Sequence, residues 1–290
     1  MINYREINYE QDLDEVLDLL NSNFSTTHSK KAFVWKHLEN PFGVSYGSLA
    51  TDDERIIAVR MFMKWEFRNG SNIINSIRPV DTCTDKSYRG KGIFKQLNQN
   101  GLDYFQDEHD LIFNTPNANS KPGNLKMGWK PVPKNFQYQF GLIPYASELV
   151  KCKILKDEDE VQFSKIILPM DCHTNISLAF LKWRYKDRDY KKAQFEETGI
   201  LIYKIQNLKG LRSLIVCDIF GDLENFNKFL FSVCICEKTL GVYFLKNEKS
   251  KSFKFLFQSA RGGQTVVYRD DKFNIIEKIN FSLSDLEARI

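Results

Sequence analysis

The sequence lacks long apolar segments and a strong excess of charge of either sign. No stretch approaches the roughly 18 consecutive apolar residues that a membrane-spanning helix needs. The first residues, 1–6, carry no basic segment followed by an apolar run, so we expect no secretory signal. The net charge of +4 in 290 residues supplies no basic field of the kind that nucleic-acid-binding proteins carry. We therefore expect neither a membrane nor a nucleic acid as partner.

The sequence also lacks the cysteine and histidine patterns of metal sites. It contains no CxxC pair, and only four histidines accompany the six cysteines. The cysteines are Cys83, Cys152, Cys172, Cys217, Cys234 and Cys236. Scattered cysteines in a chain of this size are typical of reduced thiols in the cytoplasm, which is where we expect the protein to act. No metal cofactor is expected, and 42% hydrophobic with 27% charged residues indicates a globular protein with a sizeable core.

The first half of the sequence predicts alternating strands and helices. Residues 2–7 alternate apolar and polar side chains, which predicts a strand, and apolar residues recur at helical spacing over 12–24. A second helix is expected to begin after Ser29, a residue that caps helices well, and to end near Leu38. Antiparallel strands are then expected at 47–50, 55–65 and 73–84, with a hairpin turn at Asn69-Gly70.

The helical period returns after Gly92. Apolar residues then recur on one helical face up to Phe105, and a short strand that is apolar throughout follows at 111–113. Gly101 weakens such a helix by roughly 1 kcal/mol, unless it allows the helix to approach the sheet closely.

The second half of the sequence repeats this order of elements. Residues 180–185 echo 33–38, and each stretch precedes predicted strands. In the second half these strands lie at 200–205 and 211–219, joined at Lys209-Gly210; a helix from Leu223 to Cys234, a strand at 241–245 and a hairpin over 253–268 turning at Gly262-Gly263 follow. The repetition favours a duplication, with domains at 1–145 and 146–290, over two unrelated α/β segments.

The segment from Val80 to Phe94 has the pattern of a phosphate-binding loop. A β-branched strand runs into a polar loop, Gly90 and Gly92 follow, and then a helix begins. Glycines allow consecutive N–H groups to point into one concave site, and a helix start adds unpaired donors and the positive end of its dipole. Arg89 and Lys91 add positive charge. On the glycines alone an ordinary strand-to-helix turn would explain the segment equally well.

The full string over 84–93, together with a second string downstream, resembles a known family. It is similar to the Arg/Gln-x-x-Gly-x-Gly/Ala motif of the GNAT superfamily of N-acetyltransferases. Lys86 stands where many members have proline, and Phe94 stands where the last small residue of the motif usually falls. Downstream, Asn117-x-x-Ser120-x-x-x-Asn124-x-x-x-Gly128-Trp129 is similar to the Asn-x-x-Ala/Ser-x-x-x-Tyr-x-x-x-Gly-Phe pattern of the same superfamily.

The resemblance implies a fold and a cosubstrate. It implies an α/β (α+β) fold, with a mixed, mostly antiparallel GNAT sheet flanked by helices, whose fourth and fifth strands splay apart. It implies that acetyl-CoA is bound by Thr82, Cys83, Thr84, Arg89, Gly90, Lys91, Gly92, Ile93, Phe94, Asn117 and Ser120. A second GNAT-like domain would follow, in which no basic glycine loop comes after Asp218 to Asp222, so only the first domain is expected to bind coenzyme A.

The catalytic groups are less clearly marked. The superfamily commonly has a tyrosine acid four residues before the Gly-Phe/Trp pair, and here that position is Asn124, which cannot donate a proton as a phenol does. Asp81 on the fourth strand is the first candidate base, with a structural carboxylate paired to the loop as the alternative. His37 is a second candidate, and Cys83 is more typical of a buried strand thiol than of acyl-cysteine chemistry.

The function that this resemblance implies is N-acyl transfer. The predicted reaction moves an acetyl group from acetyl-CoA to the amine of a small molecule such as an amino sugar, an amino acid or a polyamine. Two alternatives stay open at this point: a non-catalytic coenzyme A binding or regulatory protein, and an aminoacyl-tRNA-dependent transferase with tandem GNAT domains.

Overall fold

A computed structural model describes residues 1–134, 136–144, 150–155, 166, 168, 171–186, 189–195, 198–221 and 226–286. The chain divides into two units. The first unit comprises Met1–Phe67, Ile73–Pro131 and Val267–Ile276. The second unit comprises Arg68–Asn72, Val132–Val266 and Glu277–Ile290. No helix in the described ranges is long and apolar enough to cross a membrane.

The first 131 residues supply most of the first sheet and its helices. In chain order the elements are β1 Ile2–Glu6, α1 Leu13–Asn23, α2 Lys30–His37, β2 Tyr46–Asp52, β3 Arg55–Asn69, β4 Asn72–Thr84, α3 Ile93–Tyr104, β5 Leu111–Asn114, α4 Lys121–Lys126 and β6 Lys130–Pro131. Strands β1 to β4 run antiparallel to their neighbours, and β5 lies parallel to β4. Helices α1 and α2 pack on β2 and β3, while α3 packs on other core residues of the same strands.

Local sequence signals explain several of these boundaries. The Ser29 hydroxyl accepts a hydrogen bond from the Ala32 N–H and so caps α2, as predicted. Gly70 adopts a φ of +60° between β3 and β4, which confirms the predicted turn. At Gly101 an added Cβ would overlap the ring of Phe62. This glycine therefore allows α3 to approach the sheet, in return for its low helix propensity.

Strands β4 and β5 separate after a short paired segment. They are paired at Ser76 with Leu111 and at Ile77 with Ile112, whereas β4 continues to Thr84. Among the described residues, the edge of β4 that faces β5 is therefore unpaired over residues 79–84. Within this stretch Asp81 adopts a φ of +41°, which non-glycine residues seldom adopt. The predicted splay between the fourth and fifth strands is present.

The remaining elements build the second sheet and return one strand to the first. They are β7 Phe136–Leu142, β8 Lys153–Leu155, β9 His173–Thr174, α5 Leu178–Arg184, β10 Lys191–Phe195, β11 Gly199–Leu208, β12 Leu211–Phe220, α6 Phe226–Cys236, β13 Gly241–Leu245, β14 Phe257–Gln264, β15 Val267–Arg269 and α7 Leu283–Leu286. The second sheet has the strand order β14-β7-β13-β12-β11-β10-β8. Both sheets are mostly antiparallel and flanked by helices, as predicted.

The second unit repeats the topology of the first. In each unit a short helix precedes three antiparallel strands, a longer helix follows, and the next strand lies parallel to the third. The predicted turn at Lys209-Gly210 is present, since both residues have positive φ. Strand β10 was not predicted. Asp222 and Leu223 lie outside the described residues.

The prediction of a hairpin over 253–268 is wrong. Strand β14 pairs with β7 in the second sheet, whereas β15 pairs with β5 and β6 in the first. Gly262 has a φ of +96° and lies in a bulge of β14, between the pairings of Ala260 and Gly263, so it does not form a tight turn. Because β15 fills the place beside β5, the two units interleave along the chain. The division of the chain into two units therefore differs from the single boundary after residue 145 that the sequence suggested.

Candidate functional site

A row of free backbone donors lies at the end of β4. Gly90 and Gly92 adopt φ values of +81° and +78°, and Gly92 is the N-cap of α3, which has no side-chain cap. The N–H groups of residues 90–94 donate to no other described residue. An added Cβ at either glycine would meet nothing within 4 Å, so the space above the loop is open. Such a concave row of N–H groups at a helix start is suited to a phosphate anion.

Two basic side chains flank this row of donors. The Arg89 Nε donates to the Thr84 carbonyl oxygen at 3.2 Å, which ties the loop to the end of β4. The Lys91 ammonium lies 4.5 Å from the ring centre of Tyr88. Both basic side chains are exposed. The loop is also fixed by Asp85, whose Oδ1 accepts from the Ser87 N–H at 3.0 Å. The loop is therefore held in shape by contacts that leave its N–H groups free.

The predicted residues of β4 lie on both faces of the splayed edge. Cys83 is buried, with its thiol 3.8 Å from the Leu19 carbonyl oxygen, and burial raises the pKa of this thiol to about 11. A thiol of that pKa is a poor nucleophile, because almost none of it is thiolate near neutral pH. Thr82 lies on the α3 side, where its hydroxyl oxygen accepts from Arg60. The cysteine therefore has a packing role.

The downstream motif forms a turn that begins α4. The Asn117 Oδ1 accepts from the Ser120 N–H at 3.0 Å and from its hydroxyl at 3.2 Å. The two predicted residues therefore lie together, and they order the start of α4. Asn124 is fully buried, and its amide nitrogen donates to the Ser120 carbonyl oxygen at 2.9 Å. No other described group bonds its Oδ1.

Asp81 lies in a buried cluster with residues of α2. Its carboxylate accepts from the Lys36 ammonium at 2.8 and 3.0 Å and from the His37 Nε2 at 2.8 Å. His37 is fully buried, and its Nδ1 lies 3.0 Å from the Ser45 hydroxyl. Asp81 therefore pairs with α2, and the loop that the sequence suggested as its structural partner is held by other residues.

The electrostatics of this cluster keep Asp81 ionised. Burial acts to raise the pKa of Asp81, but the Lys36 ammonium and the His37 hydrogen bond outweigh burial and hold the pKa well below its usual range. Burial lowers the pKa of His37, so this side chain is neutral near pH 7. A neutral His37 that donates from Nε2 to Asp81 leaves Nδ1 to accept from the Ser45 hydroxyl.

Arg60 is a residue of the site that the sequence reasoning missed. It lies on β3, is 1% exposed, and donates from Nη1 to the Thr82 hydroxyl at 3.3 Å. Its Nε and Nη2 have no hydrogen-bond partner among the described residues. Burial lowers its pKa to about 9. A charged residue within the apolar stretch 56–63 of β3 was the available signal.

Phe94 covers this buried cation. The Arg60 guanidinium lies 4.8 Å from the Phe94 ring centre, and a Cβ added at Gly123 of α4 would lie 3.1 Å from the same ring. The large residue at the last motif position is therefore accommodated between α3 and α4, and the N–H row of the loop stays open. Among the described residues, no group of three His, Cys, Asp or Glu side chains is placed to hold a metal ion.

Comparison with known proteins agrees with this geometry. Residues 3–132 match the family model described as an acetyltransferase (GNAT) domain. No curated protein matches the sequence. The matched segment includes the glycine loop, the splayed β4 edge and the turn at Asn117.

Solved structures resemble nearly the whole chain. A conserved protein of unknown function from Enterococcus faecalis V583, described as a probable N-acyltransferase, is 13% identical with a TM-score of 0.75, covering 96% of this chain and 75% of that chain. A GCN5-related N-acetyltransferase from Anabaena variabilis ATCC 29413 is 10% identical with a TM-score of 0.73. The match covers 100% of this chain and 75% of that chain. Eis1 from Mycobacterium abscessus is 8% identical with a TM-score of 0.63, covering 92% and 73%. At these identities the likeness concerns the fold.

Proposed function

Because residues 3–132 form an acetyltransferase domain of the GNAT superfamily, we propose that this chain moves an acetyl group from acetyl-CoA to the amine of a small molecule. The observation that supports this proposal is the row of free N–H groups over residues 90–94, at the end of a strand whose edge over 79–84 is unpaired among the described residues. A single site thus offers donors for a pyrophosphate and a free strand edge for the amide groups of a pantetheine arm.

Each part of the site has a distinct task in this proposal. The N–H groups of the glycine loop bind the pyrophosphate, each hydrogen bond to a charged group contributing roughly 1.5–3 kcal/mol. The free edge near Thr82 and Thr84 pairs with the pantetheine amides and offers an N–H to the thioester carbonyl. Asn117 and Ser120 shape the turn beside that arm. Orientation of the two substrates on this frame lowers the barrier further.

We assign Asp81 a positioning role within this site. Its carboxylate oxygens already accept three hydrogen bonds from Lys36 and His37, and its depressed pKa makes it a weak proton acceptor. The same contacts fix the left-handed backbone of Asp81, which lies in the middle of the free edge of β4. The cluster therefore sets the direction of the N–H groups on either side of Asp81.

Acetyl-CoA binding provides the first test of the proposal. At 100 times its Kd, a ligand of the native state adds about 2.7 kcal/mol, which corresponds to roughly 5–10 °C in Tm for a domain of this size. Gly92→Trp should abolish this shift, because it fills the open space above the loop. Gly70→Trp is the matched control, since Gly70 also has positive φ and open space but lies in the turn before β4. The thirteen residues of β4, which span roughly 40 Å, lie between the two glycines along the chain.

A second assay separates an enzyme from a coenzyme A binding protein. Asn124 at the position of the usual tyrosine acid is the observation that favours a binder without catalysis. Release of free thiol from acetyl-CoA is measured across a panel of amino sugars, amino acids and polyamines. Turnover with at least one amine that is lost in Gly92→Trp supports transfer. A normal Tm shift without turnover on any amine favours the binder, and no Tm shift in the unmodified chain rules out both functions.

A further inference from the structure

The second unit contains a splay like that of the first. Strand β12 continues to Phe220, but its parallel pairing with β13 covers only Ser213, Leu214 and Ile215. Strand β12 therefore extends five residues, 216–220, beyond its ladder with β13. This stretch is the counterpart of the free edge of β4 in the first unit.

The chain itself fills most of this second splay. The segment after β13 places the Lys249 ammonium against this extension of β12, where it donates to the Ile219 carbonyl oxygen at 2.7 Å. Phe253 is 7% exposed, with its ring centre 5.1 Å from that of Phe244. The space left among these residues is about 20 Å³, room for about one water molecule. The lysine side chain thus bonds the strand edge where a pantetheine amide would bond it in the first unit. This filling supports the expectation that only the first domain binds coenzyme A.

A larger cavity of about 180 Å³ lies at the outer end of the same splay. The backbone of Phe220 and Gly221 forms one wall of the cavity. Its polar lining comes from Asp171, Glu248, Lys249 and Asn280. All of these residues belong to the second unit. The cavity therefore lies within one unit and is separate from the glycine loop.

Charged groups of both signs line this cavity with unused hydrogen-bonding capacity. Lys249 is 8% exposed, and no described residue besides Ile219 accepts a hydrogen bond from its ammonium, which has three donors. The Asp171 Oδ2 accepts from the Asn280 amide at 2.7 Å, and a carboxylate offers about four acceptor sites in all. Glu248 adds a second carboxylate at the rim, where it is 63% exposed at its side chain and pairs with the Lys251 ammonium.

Among the described residues, the Lys249 ammonium donates no hydrogen bond to the buried Asp218 carboxylate, although burial raises the pKa of that carboxyl and the charge of Lys249 acts against this rise. The Asp218 Oδ2 accepts from the hydroxyls of Tyr185 and Ser284 at 2.8 and 2.9 Å, and from Ser282 at 3.3 Å. The Lys249 ammonium lies 4.9 Å from the centre of the Phe220 ring, and both residues line the cavity. Buried charged groups with free donors or acceptors are costly unless a ligand or water satisfies them.

We propose that this cavity binds a small zwitterion of the size of an amino acid, with its carboxylate on Lys249 and its ammonium on Asp171. The volume corresponds to about six water molecules. It is smaller than the roughly 300–1,000 Å³ of pockets for drug-sized ligands, so nucleotides are too large. A ligand with both charges complements the Lys249 ammonium and the Asp171 carboxylate at once, whereas a simple anion or cation complements one of them.

Calorimetric titration of the full chain with individual L-amino acids tests this proposal. For each amino acid that binds, the primary amine without the carboxylate and the acid without the ammonium are titrated next. Lys249→Met removes the ammonium and Asp171→Asn removes the carboxylate charge with little change of shape. Lys246→Met is the control, because Lys246 is an exposed lysine three residues away that does not line the cavity.

The expected result is that at least one amino acid binds and that both single-charge analogues bind at least about tenfold more weakly. Lys249→Met and Asp171→Asn should each weaken binding by about 10- to 100-fold, and Lys246→Met should leave it unchanged. Absence of binding by every amino acid up to about 10 mM would overturn the proposal. Equal binding by all three variants would place the ligand elsewhere, for instance at the acceptor site of the first unit, and would also overturn it. If Lys249→Met does not fold, Asp171→Asn and the analogue series decide the question.

Discussion

Substitution of Asp81 and Lys36 distinguishes a positioning cluster from a general base. The two side chains are 11% and 9% exposed, and their charged atoms lie 2.8 Å apart. Breaking a buried pair by removing one partner costs about 3–5 kcal/mol, because the other charge stays buried and uncompensated. Asn tolerates the left-handed backbone that Asp81 adopts, so Asp81→Asn tests the charge with little added backbone strain.

The assay combines urea unfolding with steady-state acyl transfer. Lys36→Met and Asp81→Asn should each lower the free energy of unfolding of the first unit by about 3–5 kcal/mol. The double variant should lose less than the sum of the two, since no charge is left unpaired. A positioning role predicts that both single variants lower kcat/KM to a similar degree. Lys31→Met is the control, because Lys31 lies exposed on the same helix.

Two results would refute this reasoning. A stable and fully active Lys36→Met, together with a loss of about 10²–10⁴ in kcat for Asp81→Asn, would identify Asp81 as the general base. Loss of the acidic limb of the pH–rate profile in Asp81→Asn alone would point the same way. A loss of unfolding free energy below about 1 kcal/mol in both single variants would show that the ion pair behaves as an exposed one.

Three further predictions concern packing and charge in the first unit. Gly101→Ala should lower the free energy of unfolding of this unit in urea. Overpacking against the Phe62 ring costs about 1–3 kcal/mol, which outweighs the roughly 1 kcal/mol gain in helix propensity. Phe62→Leu in the same chain should restore part of the loss. Arg60→Met should lower the free energy of unfolding by no more than about 1 kcal/mol, because it removes a buried cation with two unpartnered nitrogens, and a loss above about 3 kcal/mol would contradict its unpaired state. The pKa of His37 is lowered in the folded state. The contribution of His37 to the free energy of unfolding is therefore fully present above about pH 6.5, and it declines by up to about 1.4 kcal/mol per pH unit at lower pH. In urea unfolding between about pH 5 and 7, His37→Gln should lack this decline.

Local signals in the sequence predicted the elements whose boundaries are set by neighbouring residues. The Ser29 cap, the Asn69-Gly70 turn and the start of α3 after Gly92 all depend on hydrogen bonds or backbone angles within a few residues. The splay of β4 from β5 was predicted through the family resemblance that the glycine loop carries. The match over residues 3–132 agrees with that resemblance.

Contacts between distant parts of the chain could not be predicted in the same way. The pairing of Asp81 with Lys36 joins residues 45 positions apart, and nothing in either local sequence specifies it. The burial of Arg60 depends on Phe94, which reaches it from the following helix. Gly262 and Gly263 looked like a hairpin turn because a bulge and a turn use the same residue type. The pairing of β14 with β7 and of β15 with β5 shows that these glycines form a bulge.

The return of β15 to the first sheet determines how the first unit can fold. Val267 pairs with Asn114, a separation of 153 residues (267 minus 114), and the same short strand lies between β5 and β6. Contacts of such separation slow folding, because a long loop must close before they form. During synthesis, the sheet that carries the glycine loop stays incomplete until the second unit has been made. A fragment cut at the limits of the family match would expose the hydrogen-bonding edge of β5 and invite aggregation.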